Sequence, residues 1–289
     1  MNSILITGSN GQLGSELKEL APNYLNYNFI FTDVDELNIC NHAAVEQFIV
    51  ENNISAIINC AAFTAVDKAE VEFEIADKIN HLAVANFAQL AKEKNIRLIH
   101  ISTDYVFDGT AHKPYIETDI PNPQSVYGST KLAGELAMQA INPHNSIIIR
   151  TSWVYSSYGN NFVKTMLRLA SERNELGVIV DQIGTPTYAR DLAEVLLEII
   201  PKLNNNTVET YHYSNEGVCS WYDFAKAIFD LSAINIKVNV IETSQYPTAA
   251  KRPFYSVLNK YTIKNWLQIE IPHWRDSLIN CLKEIESEE

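Results

Sequence analysis

Ser3-Ile4-Leu5-Ile6-Thr7-Gly8-Ser9-Asn10-Gly11-Gln12-Leu13-Gly14 is the stretch that decides how the rest of the chain is read. Its first five residues form a short apolar run suited to a buried parallel strand. The run passes directly into G-x-x-G-x-x-G and then into a helical pattern over residues 12–20. Glycines at this spacing give a tight turn, let backbone approach a pyrophosphate, and let the helix pack against the strand. The helix N-terminus adds free N–H groups and the positive end of a dipole. A strand before and a helix after favour a dinucleotide site over a turn that binds nothing.

Working outward, apolar strand candidates recur at 3–7, 29–32, 56–60, 97–101 and 146–150, with helical patterns at 12–20, 43–51, 73–94 and 124–141. This β-α-β-α rhythm predicts an α/β fold, a doubly wound parallel sheet of the Rossmann type with right-handed crossovers. Ligands of such sheets bind outside the carboxyl ends of the strands. Gly8, Asp33, Ala61, Thr103 and Thr151 all fall just past those ends, so one crevice collects them.

With 289 residues, the chain suits one large domain or a nucleotide domain with a smaller lobe. A net charge of −13 argues against a nucleic-acid or anionic-membrane surface. Residues 1–8 lack the basic and long apolar regions of a signal peptide, and no stretch approaches a membrane span of roughly 20 apolar residues. Cys40, Cys60, Cys219 and Cys281 are scattered, without C-x-x-C, which fits a reducing cytoplasm. The histidines form no metal-binding spacing, and no zinc site is expected.

Asp33 stands 19 residues after Gly14, where an acidic side chain commonly holds the adenosine ribose hydroxyls. Between Lys18 and Lys68 there is no Lys or Arg to meet a 2′-phosphate. NADH is therefore expected to serve at least as well as NADPH. Tyr127 and Lys131 have i, i+4 spacing, about 6 Å apart along one helix face. An ammonium that close is expected to pull the phenol below its usual value of about 10. An acidified phenol beside a fixed cation suits carbonyl reduction, where hydride reaches carbon and a proton reaches oxygen. In a chain with 14 tyrosines the pair carries weight only because a cofactor motif accompanies it.

Five strings, T-G-x-x-G-Q-L-G, N-x-A-A-x-T-x-V-D-x-A-E, S-T-D-Y-V-F-D-G, Y-G-x-T-K-x-x-G-E and R-T-S-W-V-Y, run in register from Ile4 onward. Together they resemble the dTDP-4-dehydrorhamnose reductase family of extended short-chain dehydrogenases/reductases. The resemblance covers at least residues 4–188, with weaker echoes at Trp221-Tyr222-Asp223 and Arg252-Pro253. It implies that Tyr127 protonates the C4 oxygen of a dTDP-4-dehydro-sugar as hydride arrives at C4. Lys131 is then expected to bind the nicotinamide ribose, and Thr103 to bond the carbonyl oxygen. The glycine loop, from Gly8 and Asn10 through Gly11, Gln12 and Leu13 to Gly14, would carry the pyrophosphate. Asn38 and Ile39 match an adenine-side contact. Ala61, Ala62, Thr64 and Ser102 would border the nicotinamide half, and Thr103, Asp104 and Trp153 the sugar pocket.

The resemblance further implies a smaller C-terminal α/β lobe that closes over the substrate. Residues 1–152 would form the cofactor domain, with 187–213 returning to it, and 153–186 and 214–289 would form the lobe. In that part, helices are expected at 163–173, 192–200, 221–231 and 274–286, strands at 178–180 and 236–241, and a loop at 181–191. Arg252 is a candidate bidentate donor to the substrate diphosphate. Some relatives are magnesium-bridged dimers, using carboxylates on the first helix and near P-T-x-A. Glu16 matches the first position, but Arg190 puts a cation at the second, so no metal is expected. The quaternary state stays open, a homodimer among the options. Two other functions share these residues: a nucleotide-sugar epimerase or dehydratase, and a non-catalytic NAD(P)-binding regulatory subunit.

Overall fold

A computed structural model describes residues 2–288. Five strands alternate with helices in the first half of the chain. They are β1 (Asn2–Thr7), β2 (Tyr27–Thr32), β3 (Ile54–Asn59), β4 (Arg97–Thr103) and β5 (Ser146–Thr151). Between them lie α1 (Gln12–Leu20), α2 (His42–Glu51), α3 (Val66–Ala69), α4 (Phe73–Asp77), α5 (Ala83–Lys94) and α6 (Val126–Ile141). The long helical pattern at 73–94 is broken by one π turn, Lys78–Leu82, whose wider winding joins α4 to α5.

After β5 the chain forms β6 (Val154–Tyr155), α7 (Phe162–Glu172), β7 (Glu175–Ile179), β8 (Ile183–Gly184), β9 (Thr187–Tyr188) and α8 (Ala189–Ile199). Then follow β10 (Glu209–His212), β11 (Cys219–Ser220), α9 (Trp221–Leu231), β12 (Lys237–Ile241), α10 (Tyr261–Leu267) and α11 (Trp274–Glu288). Six strands make one sheet in the order β10-β5-β4-β3-β1-β2, every pair parallel. Three two-stranded pairings, β11 with β8, β12 with β7 and β6 with β9, complete the pattern.

The large sheet is buried on both faces, as its unbroken apolar strands require. Ile4 and Ile6 face a core shared with Leu17 of α1 and Leu192 and Leu196 of α8. Leu5 faces the opposite core, built on Val45 of α2, Phe87 of α5 and Met138 of α6. Ile4, Leu5 and Ile6 are completely buried, and each such side chain contributes roughly 1.5–3 kcal/mol. A separate core joins α7, α9 and α11 to β7 around Phe224, Ile228 and Leu278.

Two expectations differ from the structure. Residues 181–191, read as loop, hold β8, β9 and the start of α8, because their strand partners β11 and β6 are distant in sequence. The short α10 was not anticipated, its Lys260 N-cap offering no side-chain cap.

Candidate active site

A cleft of about 810 Å³ runs along the carboxyl ends of the parallel strands. Gly8 turns the chain out of β1 at φ +66°, and a Cβ there would lie 2.7 Å from the backbone of Ala61. Only glycine lets the loop close down on the end of β3 at that point. Gly11 caps α1 without a side-chain bond, and the first turn carries no acidic residue. The amides that open the helix are therefore left for an anion. Asn10, Gly11, Gln12, Leu13 and Gly14 all line the cleft here. The residues fit a dinucleotide pyrophosphate.

Asp33, Asn38 and Ile39 line one end of the cleft. The Asp33 carboxylate accepts the Asn10 amide at 3.0 Å and the Val34 amide at 2.8 Å, which fixes it beside the glycine loop. The Asn38 side chain accepts the Cys40 amide at 3.0 Å.

At the other end, the π turn aims Asn80 between two elements of the site. Its side chain accepts the Phe63 amide at 2.9 Å and donates to the Phe63 carbonyl and to Thr130 of α6. Asn80 thereby clamps the segment of Ala61, Ala62 and Thr64 onto the helix that carries Tyr127. Glu70, from the V-D-x-A-E string, accepts the Val126 amide at 2.9 Å and fixes the start of that helix. Ser125 caps it by accepting the Gly128 amide.

Tyr127 is half-buried on the wall of the cleft, its ring edge-on to Tyr105 at 5.4 Å between centroids. Burial pushes its phenol up to about 12; the neighbouring Thr103 hydroxyl opposes this and Asp104 adds to it. This corrects the expected depression by Lys131. The lysine head is drawn instead to the Ile101 carbonyl at 2.6 Å and lies 3.4 Å from His100 Nε2. Spacing of i, i+4 aligns backbone positions, but a four-carbon stem delivers its charge wherever acceptors stand. Burial also pulls Lys131 down to about 8, against the opposing pull of Glu135 and Cys60.

The Thr103 hydroxyl donates to Asp104 at 3.0 Å and accepts the Tyr105 amide at 3.2 Å. Burial lifts Asp104 to about 6, although bonds from Ser256 and Thr103 resist it. Ser102 lines the cleft, but its hydroxyl is given to Glu135. That carboxylate is buried and also takes Arg150 at 2.6 Å.

Trp153 sits with φ +48°, a left-handed conformation that costs a non-glycine residue about 1–3 kcal/mol. The strained backbone lays its ring on Trp221, centroids 3.6 Å apart and planes 9° from parallel. Both tryptophans line the cleft, and Trp221 of α9 was not among the expected site residues.

Arg252 does not line the cleft. Its guanidinium holds Asp67 and the Ala250 carbonyl, where a diphosphate contact was expected. Arg190 lies 3.0 Å from Glu284 and 3.8 Å from the buried Glu16. Among the described residues, no group of three or more His, Cys, Asp and Glu side chains is arranged to hold a metal ion.

Asn80, Glu70, His100, Glu135 and Trp221 are the structural supports that sequence reading missed. Glu70 and Glu135 carried a signal as members of the quoted strings, and Trp221 a weaker one in the Trp221-Tyr222-Asp223 echo.

A family model described as the RmlD substrate binding domain matches residues 1–287. The chain is 45% identical to the dTDP-4-dehydrorhamnose reductase of Aggregatibacter actinomycetemcomitans, over 97% of this chain and 98% of that protein. It is similar to a crystal structure of a dTDP-4-dehydrorhamnose reductase from Clostridium acetobutylicum, with TM-score 0.93 and 46% identity over 98% of this chain and 99% of that one. A dTDP-4-dehydrorhamnose reductase from Bacillus anthracis, solved in complex with NADP, gives TM-score 0.93 at 39% identity over 98% and 100%. The chain belongs to the RmlD substrate binding domain family, the family of the dTDP-4-dehydrorhamnose reductases.

Proposed function

We propose that this enzyme reduces the C4 keto group of dTDP-4-dehydro-β-L-rhamnose to give dTDP-L-rhamnose, with NADH or NADPH as reductant. One observation carries the reading. A cleft continuous from an open helix N-terminus to Tyr127, Thr103 and Asp104 lies in a chain 45% identical to a protein of that activity.

Gly11, Gln12 and Leu13 would hold the pyrophosphate, Asp33 the adenosine ribose, and Asn38 with Ile39 the adenine. Ala61, Ala62 and Thr64 leave room for the flat nicotinamide, which supplies hydride to C4 when bound. Tyr127, a phenol held protonated at neutral pH, gives its proton to the C4 oxygen. Thr103, turning its one hydroxyl hydrogen away from Asp104, would donate to the same oxygen and stabilise its growing charge. Lys131 would bind the nicotinamide ribose, its head seated on the Ile101 carbonyl. Trp153 and Trp221 offer a flat apolar wall to one face of the sugar. Arg252, held by Asp67 outside the lining of the cleft, would meet the diphosphate only by exchanging that bidentate acceptor for another. The reaction belongs to dTDP-rhamnose biosynthesis. A cytoplasmic setting is supported by four scattered cysteines without C-x-x-C spacing.

The test is absorbance at the reduced-nicotinamide band after mixing protein, NADH or NADPH, and dTDP-4-dehydrorhamnose. Oxidation with dTDP-rhamnose formed, and lost in Tyr127→Phe, is expected. A chain that binds the cofactor but consumes none overturns the reading.

A further inference from the structure

Three polar side chains form a single row across three neighbouring strands, at the carboxyl ends of β1 and β3 and within β4. Thr7 of β1 pairs in register with Asn59 of β3, and Asn59 pairs with His100 of β4. All three are essentially buried, at 1%, 1% and 0% exposure. Thr7 Oγ1 lies 2.7 Å from Asn59 Oδ1, Asn59 Nδ2 lies 3.1 Å from His100 Nδ1, and His100 Nε2 lies 3.4 Å from Lys131 Nζ. Polar groups buried in a sheet are tolerated only when mutually bonded. Here the bonds lead to Lys131, a titratable group that lines the cleft.

We propose that Thr7, Asn59 and His100 form a buried positioning relay for Lys131, one that seats the lysine head and reverses its hydrogen-bond direction when the lysine changes charge. The argument is one of donor and acceptor counting. A neutral imidazole has one N–H and one lone pair. With Asn59 donating to Nδ1, as the structure has it, the proton sits on Nε2 and points at Lys131. Only a neutral amine can accept it. An ammonium needs the opposite order: Lys131 donates to Nε2, His100 Nδ1–H donates to the Asn59 oxygen, and the Asn59 nitrogen donates to Thr7. The amide is nearly symmetric in shape and the threonine hydroxyl both donates and accepts, so both orders fit the same cavity. The Ile101 carbonyl takes a lysine hydrogen in either state.

Other titratable groups face Lys131. Glu135 lies one turn further along its own helix, Tyr127 one turn before it, and Cys60 at the end of β3. Burial pushes the Cys60 thiol up to about 12, so it stays neutral. Glu135, held by Arg150 and Ser102, favours the ammonium. His100 is kept far below its ordinary range by burial and by Lys131, so it changes tautomer, not charge.

The primary test needs neither substrate nor the reductase reading. Protein labelled with ¹⁵N-histidine is followed by NMR from about pH 6 to about pH 9.5, with His100 identified by the signal lost in His100→Gln. We expect an Nδ1–H tautomer at low pH and an Nε2–H tautomer at high pH. Lys131→Met should abolish the switch. A single tautomer throughout in the wild-type protein overturns the proposal.

The second test rests on the reductase reading and follows kcat against pH. His100→Leu removes the acceptor facing the ammonium, so its alkaline limb should move about half a unit or more to lower pH. His100→Gln, which keeps an acceptor, should retain the wild-type limb. A fall in kcat with the limb unmoved in His100→Leu identifies a merely structural role and overturns the proposal. Should His100→Leu not fold, the wild-type spectrum decides alone.

Discussion

Arg252 grips Asp67 with two near-parallel bonds, Nη1 to Oδ1 at 2.9 Å and Nη2 to Oδ2 at 2.7 Å. Asp67 lies on α3, whereas Arg252 belongs to the C-terminal segment, so the pair ties two regions 185 residues apart. The bond from Arg252 pulls the Asp67 carboxyl down to about 2. Its folded value lies below its unfolded one, so its contribution to stability is complete above about pH 4 and is lost as pH falls toward 2. Two variants separate a strap from a recruitable donor. If Arg252 passes to the diphosphate, Arg252→Ala raises KM for the nucleotide-sugar about tenfold, while Asp67→Asn leaves it unchanged or lower. Equal increases in both would identify the pair as a strap only. Steady-state kinetics at saturating cofactor makes the comparison.

Asp33 is the residue we propose for cofactor choice. Its carboxylate, fixed by two backbone amides, faces the cleft with no cation between Lys18 and Lys68 to receive a 2′-phosphate. kcat/KM for NADH should equal or exceed that for NADPH, and Asp33→Asn should move the ratio toward NADPH by about tenfold. A strong NADPH preference in the unaltered protein would contradict this account of Asp33.

Gly184 is the seat of Trp153. A Cβ at 184 would come within 2.6 Å of the indole and 2.9 Å of Ser256 Oγ. Gly184→Ala should therefore displace the Trp153–Trp221 stack. The overpacking should cost about 1–3 kcal/mol in thermal or denaturant unfolding and raise KM for the sugar while leaving cofactor binding intact. Unaltered sugar KM in a folded Gly184→Ala would remove Trp153 from the pocket.

Glu16 gives a stability signature of opposite sign to Asp67. It is buried beneath Ser156 and Arg190, and burial raises its carboxyl to about 7. Above its unfolded value the native state holds a proton that the unfolded chain has released, so stability falls as pH rises from about 4.5 to 7. Glu16→Gln should gain roughly 2 kcal/mol relative to the unaltered protein at pH 8, and little or nothing at pH 4.5. Urea unfolding at the two pH values measures it, and a gain equal at both would refute the assignment.

The parts of this site that were legible are those encoded over short spans. A strand, a glycine turn and a helix follow one another between Asn2 and Leu20, and each leaves its own periodicity. The helix of Tyr127, expected at 124–141, runs over Val126–Ile141. What stayed hidden depends on pairing at a distance. His100 and Asn59 look like irregularities in apolar strands until the sheet register aligns them with Thr7. The engagement of Arg252 by Asp67 requires residues 185 positions apart. The direction of the Lys131 head was misjudged because its partners, the Ile101 carbonyl and the His100 ring, belong to another element.

The sixth strand of the sheet has a consequence for synthesis. Because Glu209–His212 pairs with β5, the sheet cannot be completed until some 60 residues after β5 have left the ribosome. Until then Ile147, Ile148 and Ile149 form an apolar, unpaired edge on the nascent chain. At about 5–20 residues per second that edge stays open for several seconds, long enough for a holdase chaperone to engage it.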